Sequence, residues 1–221
     1  MVKAGGYDMG IAFDGDADRC LAVDEQGNLI DGDQIMAACG LDMKNKGKLP
    51  GDTIVATVMS NLGLHVWSKE NGLNVVCTDV GDRHVLEHML EHGFDIGGEQ
   101  SGHMIFREFA TTGDGQLTAL QMFALLKESG KKASELFGAC PRYPQTLINV
   151  PVADNDAKKA IMASDKLWDA VKQEEAALAG KGRVLVRASG TEALMRVMVE
   201  AESEQVAHSC AQRLADLVKG L

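Results

Sequence analysis

Phe13-Asp14-Gly15-Asp16-Ala17-Asp18-Arg19 sets three carboxylates at alternate positions, with a guanidinium directly after the last. In extended backbone, alternate side chains point the same way. Asp14, Asp16 and Asp18 are therefore expected to converge on one hard cation, with Gly15 and Ala17 keeping the far side uncrowded. Carboxylates this close repel one another unless a divalent ion neutralises them, and Arg19 offsets the remaining charge or takes a phosphate oxygen. The stretch reads as a Mg²⁺ site built to hold a phosphoryl group. The apolar runs on either side, residues 9–13 and 20–23, read as strands.

Two rival readings meet the same residues. One is a plain acidic turn. The other is a calcium loop of the EF-hand kind, with Asp14, Asp16 and Asp18 at positions one, three and five, Leu21 at eight and Glu25 at twelve. Its sixth position requires the glycine of the sharp turn and holds Arg19, and its flanks require helices.

The 221 residues suffice for one large domain or two small ones, and 45% hydrophobic content supports an ordinary core. A net charge of −10 argues against a nucleic-acid or anionic-membrane surface, so any anion site must be a local arginine cluster. Cys20, Cys39, Cys77, Cys140 and Cys210 are scattered without a C-x-x-C pair, which suggests neither a disulfide framework nor a zinc site. No run spans a bilayer and no secretory h-region opens the chain, so a cytoplasmic location is the expectation.

Strand and helix then alternate: a helix capped by the Asp31-Gly32-Asp33 segment, a strand at 53–58, a helix at 64–70, a strand at 73–77, and a helix from Asp82 to Gly93. A further apolar stretch covers 97–106, and a helix at 116–129 is closed by Gly130. This predicts an α/β domain with a mixed, largely parallel sheet. Pro141-Arg142-Tyr143-Pro144 reads as a linker. Beyond it a strand, one long helix at 157–179, two strands and a last helix predict a small α+β domain. The first strand comes so early that the front of its domain is expected to be missing.

Three more loops carry polar chemistry. Arg187-Ala188-Ser189-Gly190-Thr191-Glu192 offers a guanidinium, two hydroxyls and an open glycine, with Arg196 on the next strand. This suits a phosphate monoester, or forms a polar β-turn. Gly97-Gly98-Glu99-Gln100-Ser101-Gly102-His103 places Glu99 and Ser101 to face one ligand, while His103 bonds a phosphate, assists proton transfer or serves structure alone. Val80-Gly81-Asp82-Arg83 opens a helix. Asp82 reads as its cap, and Arg83 supplies charge to an anion at the helix start. His84, His88 and His92 follow at i, i+4 spacing and read as a solvated face with no carboxylate in register.

In the order D-G-D-A-D-R, V-G-D-R, G-E-Q-S-G-H and R-x-S-G-T-E, these loops resemble those of the α-D-phosphohexomutases, over essentially the whole chain. The resemblance is closest to bacterial members acting on glucosamine phosphates. It lies in Val58-Met59-Ser60-Asn61-Leu62-Gly63, Gln100, Thr111-Thr112-Gly113-Asp114-Gly115 and Arg196-Val197-Met198-Val199-Glu200. Relatives acting on glucose or mannose phosphates usually carry another residue where Gln100 stands.

The resemblance implies isomerisation of glucosamine 6-phosphate to glucosamine 1-phosphate, on the route to UDP-N-acetylglucosamine, through a phosphoserine and a bisphosphate intermediate. It implies Mg²⁺ on Asp14, Asp16 and Asp18, sugar hydroxyls on Glu99 and Ser101, and a phosphate clamp of Arg187, Ser189, Gly190 and Thr191 supported by Arg196. Arg19, Arg83 and His103 complete the implied substrate-binding set. Two departures stand out: Ala188 and Ala193 replace the family's prolines, and no serine is followed by His-Asn, the family's nucleophile signature. The resemblance thus implies a truncated phosphohexomutase. Residues 1–30 would be the remnant of domain 2, 31–140 the sugar-binding α/β domain 3, and 141–221 the phosphate-binding α+β domain 4. Its partners would be a hexosamine phosphate and the missing N-terminal half, without which it should be inactive; a homodimer is left open. A non-catalytic phosphosugar-binding module and a related phosphomannomutase or phosphoglucomutase are the alternatives.

Overall fold

The computed structural model describes residues 1–221, which divide into units 1–142 and 143–221. After a single turn, α1 (Val2–Gly5), the first unit opens with β1 (Met9–Phe13), β2 (Cys20–Asp24) and β3 (Leu29–Ile30), an antiparallel sheet in the order β1-β2-β3. Along β2, Cys20, Ala22 and Asp24 are buried while Leu21 and Val23 are only partly so, the period-two pattern of a strand with one covered face. Phe13 pairs with Cys20, so the acidic stretch closes a β-hairpin. The EF-hand reading fails here. Strands flank the loop, and Glu25, its twelfth ligand, is instead taken by the Ser134 N–H and hydroxyl.

Helix α2 (Gly32–Asn45) starts with a capping box: Asp31 accepts from the Gln34 N–H, and the Gln34 side chain accepts from the Asp31 N–H. There follow a short 3₁₀ turn, β4 (Thr53–Thr57), α3 (Leu62–Glu70), β5 (Asn74–Thr78), α4 (Asp82–His92), β6 (Ile96–Gly98), β7 (Met104–Phe106), α5 (Gly115–Ser129) and α6 (Ala133–Leu136). The sheet order is β5-β4-β6-β7, with β4 parallel to both neighbours and β6–β7 an antiparallel hairpin. The single apolar stretch expected at 97–106 is therefore two strands around a tight loop.

All five residues of β4 are buried. Ile54 and Ala56 join the core shared with Ile35, Met36, Leu64 and Met122, while Val55 joins Val85, Met89 and Ile105 on the opposite face. Helices on both faces explain why a mostly parallel sheet forms from nearly continuous hydrophobic runs. Met9, Cys20, Ala22 and Ile30 of the first sheet belong to the larger of these cores. Burial pushes the Cys20 thiol up to about 11 and those of Cys39 and Cys140 up to about 12, so they serve as apolar packing.

The second unit contains β8 (Gln145–Pro151), α7 (Asn155–Met162), α8 (Asp165–Ala177), β9 (Gly182–Ala188), β10 (Leu194–Ala201) and α9 (Glu204–Lys219), with an antiparallel sheet in the order β8-β10-β9. The helix expected over 157–179 is broken at Ala163–Ser164. The Trp168 indole N–H donates to the Met162 carbonyl at 2.7 Å, satisfying an acceptor the first helix leaves open at its end. No helix of the chain is long and apolar enough to cross a membrane.

Across the β9–β10 pair, Arg183 stands opposite Glu200, which is fully buried, and its Nε donates to Oε2 at 2.8 Å. Removing one partner of a buried pair costs about 3 kcal/mol or more. Arg183→Met is thus expected to destabilise the second unit by about 3 kcal/mol. Denaturant unfolding in a Trp67→Phe background, where Trp168 is the one remaining tryptophan, checks this.

Candidate functional site

One ligand oxygen each from Asp14, Asp16 and Asp18 can be chosen so that all three lie within 4.8 Å of one another. The convergence predicted from alternation is present, but extended backbone does not produce it. The loop folds into a turn, with the Ala17 N–H donating to the Asp14 carbonyl at 3.3 Å and Ala17 itself at φ 60. A left-handed alanine costs about 1 kcal/mol, a strain the surroundings must hold. They do so through the Gly115 N–H, which donates to the Ala17 carbonyl at 2.9 Å, and the Arg19 N–H, which reaches Asp14 Oδ1 at 3.3 Å. The Arg19 guanidinium lies 3.7 Å from Asp14 and 3.9 Å from Asp18. Asp18 Oδ1 is enclosed without a hydrogen-bond donor. An octahedral Mg²⁺ takes oxygens at about 2.0–2.1 Å. An all-carboxylate trio with one undonated oxygen is a donor set that suits such a hard ion.

The sugar-loop candidates sit beside it. Cys20 N–H donates to the Gly102 carbonyl at 3.0 Å, and Arg19 bridges to His103, so the metal loop and residues 99–103 are stitched backbone to backbone. Gly102 has φ +94, and a Cβ there would stand 2.3 Å from the Cys20 carbonyl oxygen, so no other residue fits. His103 is buried. Its Nε2 lies 3.6 Å from Asp18 Oδ2 and 4.0 Å from Asp82 Oδ2, so the ring packs behind the acidic loop, and it is not among the residues lining the cleft.

Asp82 is not the cap that the sequence suggested: Gly81 holds the N-cap position, without a side-chain cap. Glu99 Oε1 accepts the Gly81 N–H at 3.1 Å, tying the loop to the start of α4. Arg83 is turned away, its exposed guanidinium bonded to Glu87 at 2.7 Å.

A cleft of about 410 Å³ is lined by Arg19, Thr57, Met59, Val80, Glu99, Gln100, Ser101 and Arg142, among others. Thr57 and Met59 lie at and beyond the end of β4, Val80 after β5, and Glu99 to Ser101 after β6. The cleft therefore opens at the carboxyl ends of the three parallel strands, where α/β sheets bind ligands.

In the second unit, Arg187 and Arg196 face each other directly across β9 and β10. The Arg187 side chain makes no hydrogen bond or ion pair within the protein, although its backbone is part of the β9–β10 ladder. Burial, with the Arg196 charge adding to it, pushes its guanidinium below the usual range. Like charges set opposite one another are unfavourable, and an anion between them would relieve the repulsion. Arg196 is held by Glu192 at 3.0 Å, but its Nε is enclosed and unpartnered. Gly190 and Thr191 are exposed at the loop tip. Ser189 is buried, its hydroxyl accepting the Glu192 N–H at 3.3 Å, so it shapes the turn.

Sequence reasoning missed Lys158. From α7 its buried ammonium donates to the carbonyls of Ser189 and Glu192 at 2.8 and 2.9 Å, bracing both ends of the loop. A lysine on a helix some thirty residues upstream gives no local signal of that. His88 and His92 stack at 4.1 Å, and Glu91 lies close enough to share an ion with them, so a carboxylate does stand in register with that histidine face.

Residues 31–143 match the family described as Phosphoglucomutase/phosphomannomutase, alpha/beta/alpha domain III, and residues 147–217 its C-terminal domain. The chain is 52% identical over 214 residues to the phosphoglucosamine mutase of Ligilactobacillus salivarius (strain UCC118), covering 97% of the chain and 47% of the relative. It is 56% identical over 218 residues to that of Bifidobacterium adolescentis (strain ATCC 15703), covering 99% and 47%. Among solved structures, Aspergillus fumigatus N-acetylphosphoglucosamine mutase in complex with GlcNAc-6P and magnesium matches with a TM-score of 0.79 at 26% identity, over 94% of this chain and 51% of that one. The chain thus spans about half the length of the relatives it matches.

Losing the Lys158 brace should free the arginine loop locally. Lys158→Met is expected to speed amide hydrogen exchange at residues 189–192 by about tenfold or more while leaving the core of β10 protected, read by NMR or mass spectrometry.

Proposed function

Since the chain belongs to the phosphoglucomutase/phosphomannomutase family, we propose that it serves the phosphoglucosamine mutase reaction, interconverting glucosamine 6-phosphate and glucosamine 1-phosphate. The observation that carries this reading is the backbone stitching of the three-carboxylate loop to the Glu99–Ser101 wall of the cleft. A transferring phosphoryl group and a hexose need those two surfaces side by side. Identity above 50% to relatives of that name supports the amino sugar.

In this reading Asp14, Asp16 and Asp18 hold Mg²⁺, which when bound supplies Lewis-acid neutralisation of the phosphoryl oxygens. Arg19 takes a phosphoryl oxygen from the side of the loop that already carries its charge. Glu99, fixed by the Gly81 N–H, and Ser101, exposed at the loop tip, bond sugar hydroxyls. Arg187 and Arg196 grip the phosphate that is not in transfer, while Gly190 and Thr191 offer backbone N–H and hydroxyl donors. Because the hexose must bind either way round, a clamp that reads only the phosphate positions it for both half-reactions. Residues 1–30 are read as the end of a preceding domain. The nucleophilic serine is assigned to sequence outside these residues, since none of the serines present is followed by His-Asn.

The test is a coupled assay for glucosamine 1-phosphate with this chain alone and with a separately produced N-terminal half of a relative. No turnover alone and turnover on mixing are expected. Turnover by the chain alone would mean the nucleophile has been misplaced. Failure on mixing, with phosphosugar binding intact, would favour a non-catalytic binding module.

A further inference from the structure

Beyond the first D-G-D run, the chain carries a second, Asp31-Gly32-Asp33, at the start of α2. Asp31 caps the helix, which leaves Gly32 and Asp33 to be explained. Both grip one residue of the cleft wall. The Gly32 N–H donates to the Gln100 carbonyl at 3.0 Å, and Asp33 Oδ2 accepts from Gln100 Nε2 at 3.1 Å. Gly32 sits so close that a Cβ would lie 2.0 Å from the Glu99 carbonyl oxygen. Asp33 is 2% exposed, and the same Oδ2 also accepts the Asn61 N–H at 2.7 Å. The Asn61 N–H marks Oδ2 as an acceptor, so the end of the Gln100 amide that faces it is the donor, its nitrogen. Oε1 is then turned away from Asp33, on a residue that lines the cleft, and no protein N–H donates to it.

We propose that Asp33 is a positioning residue that locks the Gln100 amide with Oε1 as a hydrogen-bond acceptor for the cleft, so that the site prefers a hexose phosphate bearing a protonated amine over one bearing a hydroxyl. This rests on the phosphosugar reading above and deepens it by naming the residue that sets the choice of sugar. The amide lies between a buried carboxylate and the ligand, with its N–H end toward the negative charge. That polarises the carbonyl end and favours a cation there. A hydrogen bond from an ionised donor contributes about 1 kcal/mol more than one from a neutral donor, or roughly fivefold in affinity. Without Asp33 the amide is free to present its NH₂ instead, and the preference is lost.

The experiment is titration calorimetry of the full chain with Mg²⁺ present, comparing glucosamine 6-phosphate with glucose 6-phosphate at pH 7. It is paired with NMR of the Gln100 side-chain amide, assigned by its loss in Gln100→Met. A roughly fivefold or greater preference for the amino sugar is expected, falling to about one in Gln100→Met and in Asp33→Asn. The Gln100 amide protons should exchange more slowly than those of exposed glutamines, a readout that needs no Asp33 variant to fold. Binding of both sugars with equal affinity, a preference that survives Gln100→Met, or a fast-exchanging Gln100 amide would overturn the inference while leaving the phosphosugar reading intact. Binding of neither sugar by the wild-type chain would overturn that reading and the inference with it.

Discussion

Three carboxylates held within 4.8 Å of one another are a standing repulsion, and much of the first unit's architecture serves to keep them there. Two unit charges 4 Å apart repel by about 1 kcal/mol in water and by more where solvent is partly excluded. Against this stand a hairpin that fixes both ends of the loop, an alanine forced into left-handed backbone, and a neighbouring guanidinium. A buried imidazole lies 3.6 Å from the third carboxylate. Strain and repulsion gathered at one exposed turn are features that folding alone does not reward, and the Mg²⁺ proposed above would relieve the repulsion.

The β4–β5–β6 sheet turns that loop into part of a larger site. Parallel strands end on one side, so the segments after β4, β5 and β6 gather there whatever their sequence. The backbone bond between Cys20 and Gly102, the Arg19–His103 bridge and the Gly115 bond to Ala17 bring the acidic hairpin to the same edge. The second unit contributes a different device. It sets two arginines face to face across an antiparallel pair and braces the connecting loop from behind with a buried lysine. One surface suits a cation and a sugar, the other a phosphate.

Much of this was legible in the residues, because turn chemistry and charge spacing are local signals. The acidic loop, the cap at Asp31 and the glycine that closes α5 all stand where their residue types put them. What the sequence hid was pairing at a distance. Alternation of Asp14, Asp16 and Asp18 predicted convergence for the wrong backbone reason, since the loop is a turn with Ala17 in left-handed backbone and its carbonyl bonded to distant Gly115. His103 read as open to a phosphate, a proton transfer or structure alone, and its burial 3.6 Å from Asp18 is a tertiary fact; Arg83 looked poised for an anion, and its guanidinium bonds Glu87, one helical turn on. A single helix was expected over 157–179 because most residues there favour helix, and the Ser164-Asp165 pair that starts the second helix is a cap signal that reading passed over.

The claim on which the account depends is that the acidic hairpin loop holds a magnesium ion, and calorimetric titration of the chain with MgCl₂ addresses it most directly. The account predicts uptake of one ion per chain, weakened at least tenfold in Asp16→Asn, whose side chain is exposed and unburdened by packing. Uptake that the substitution leaves unchanged, or no uptake by the wild-type chain, would contradict it.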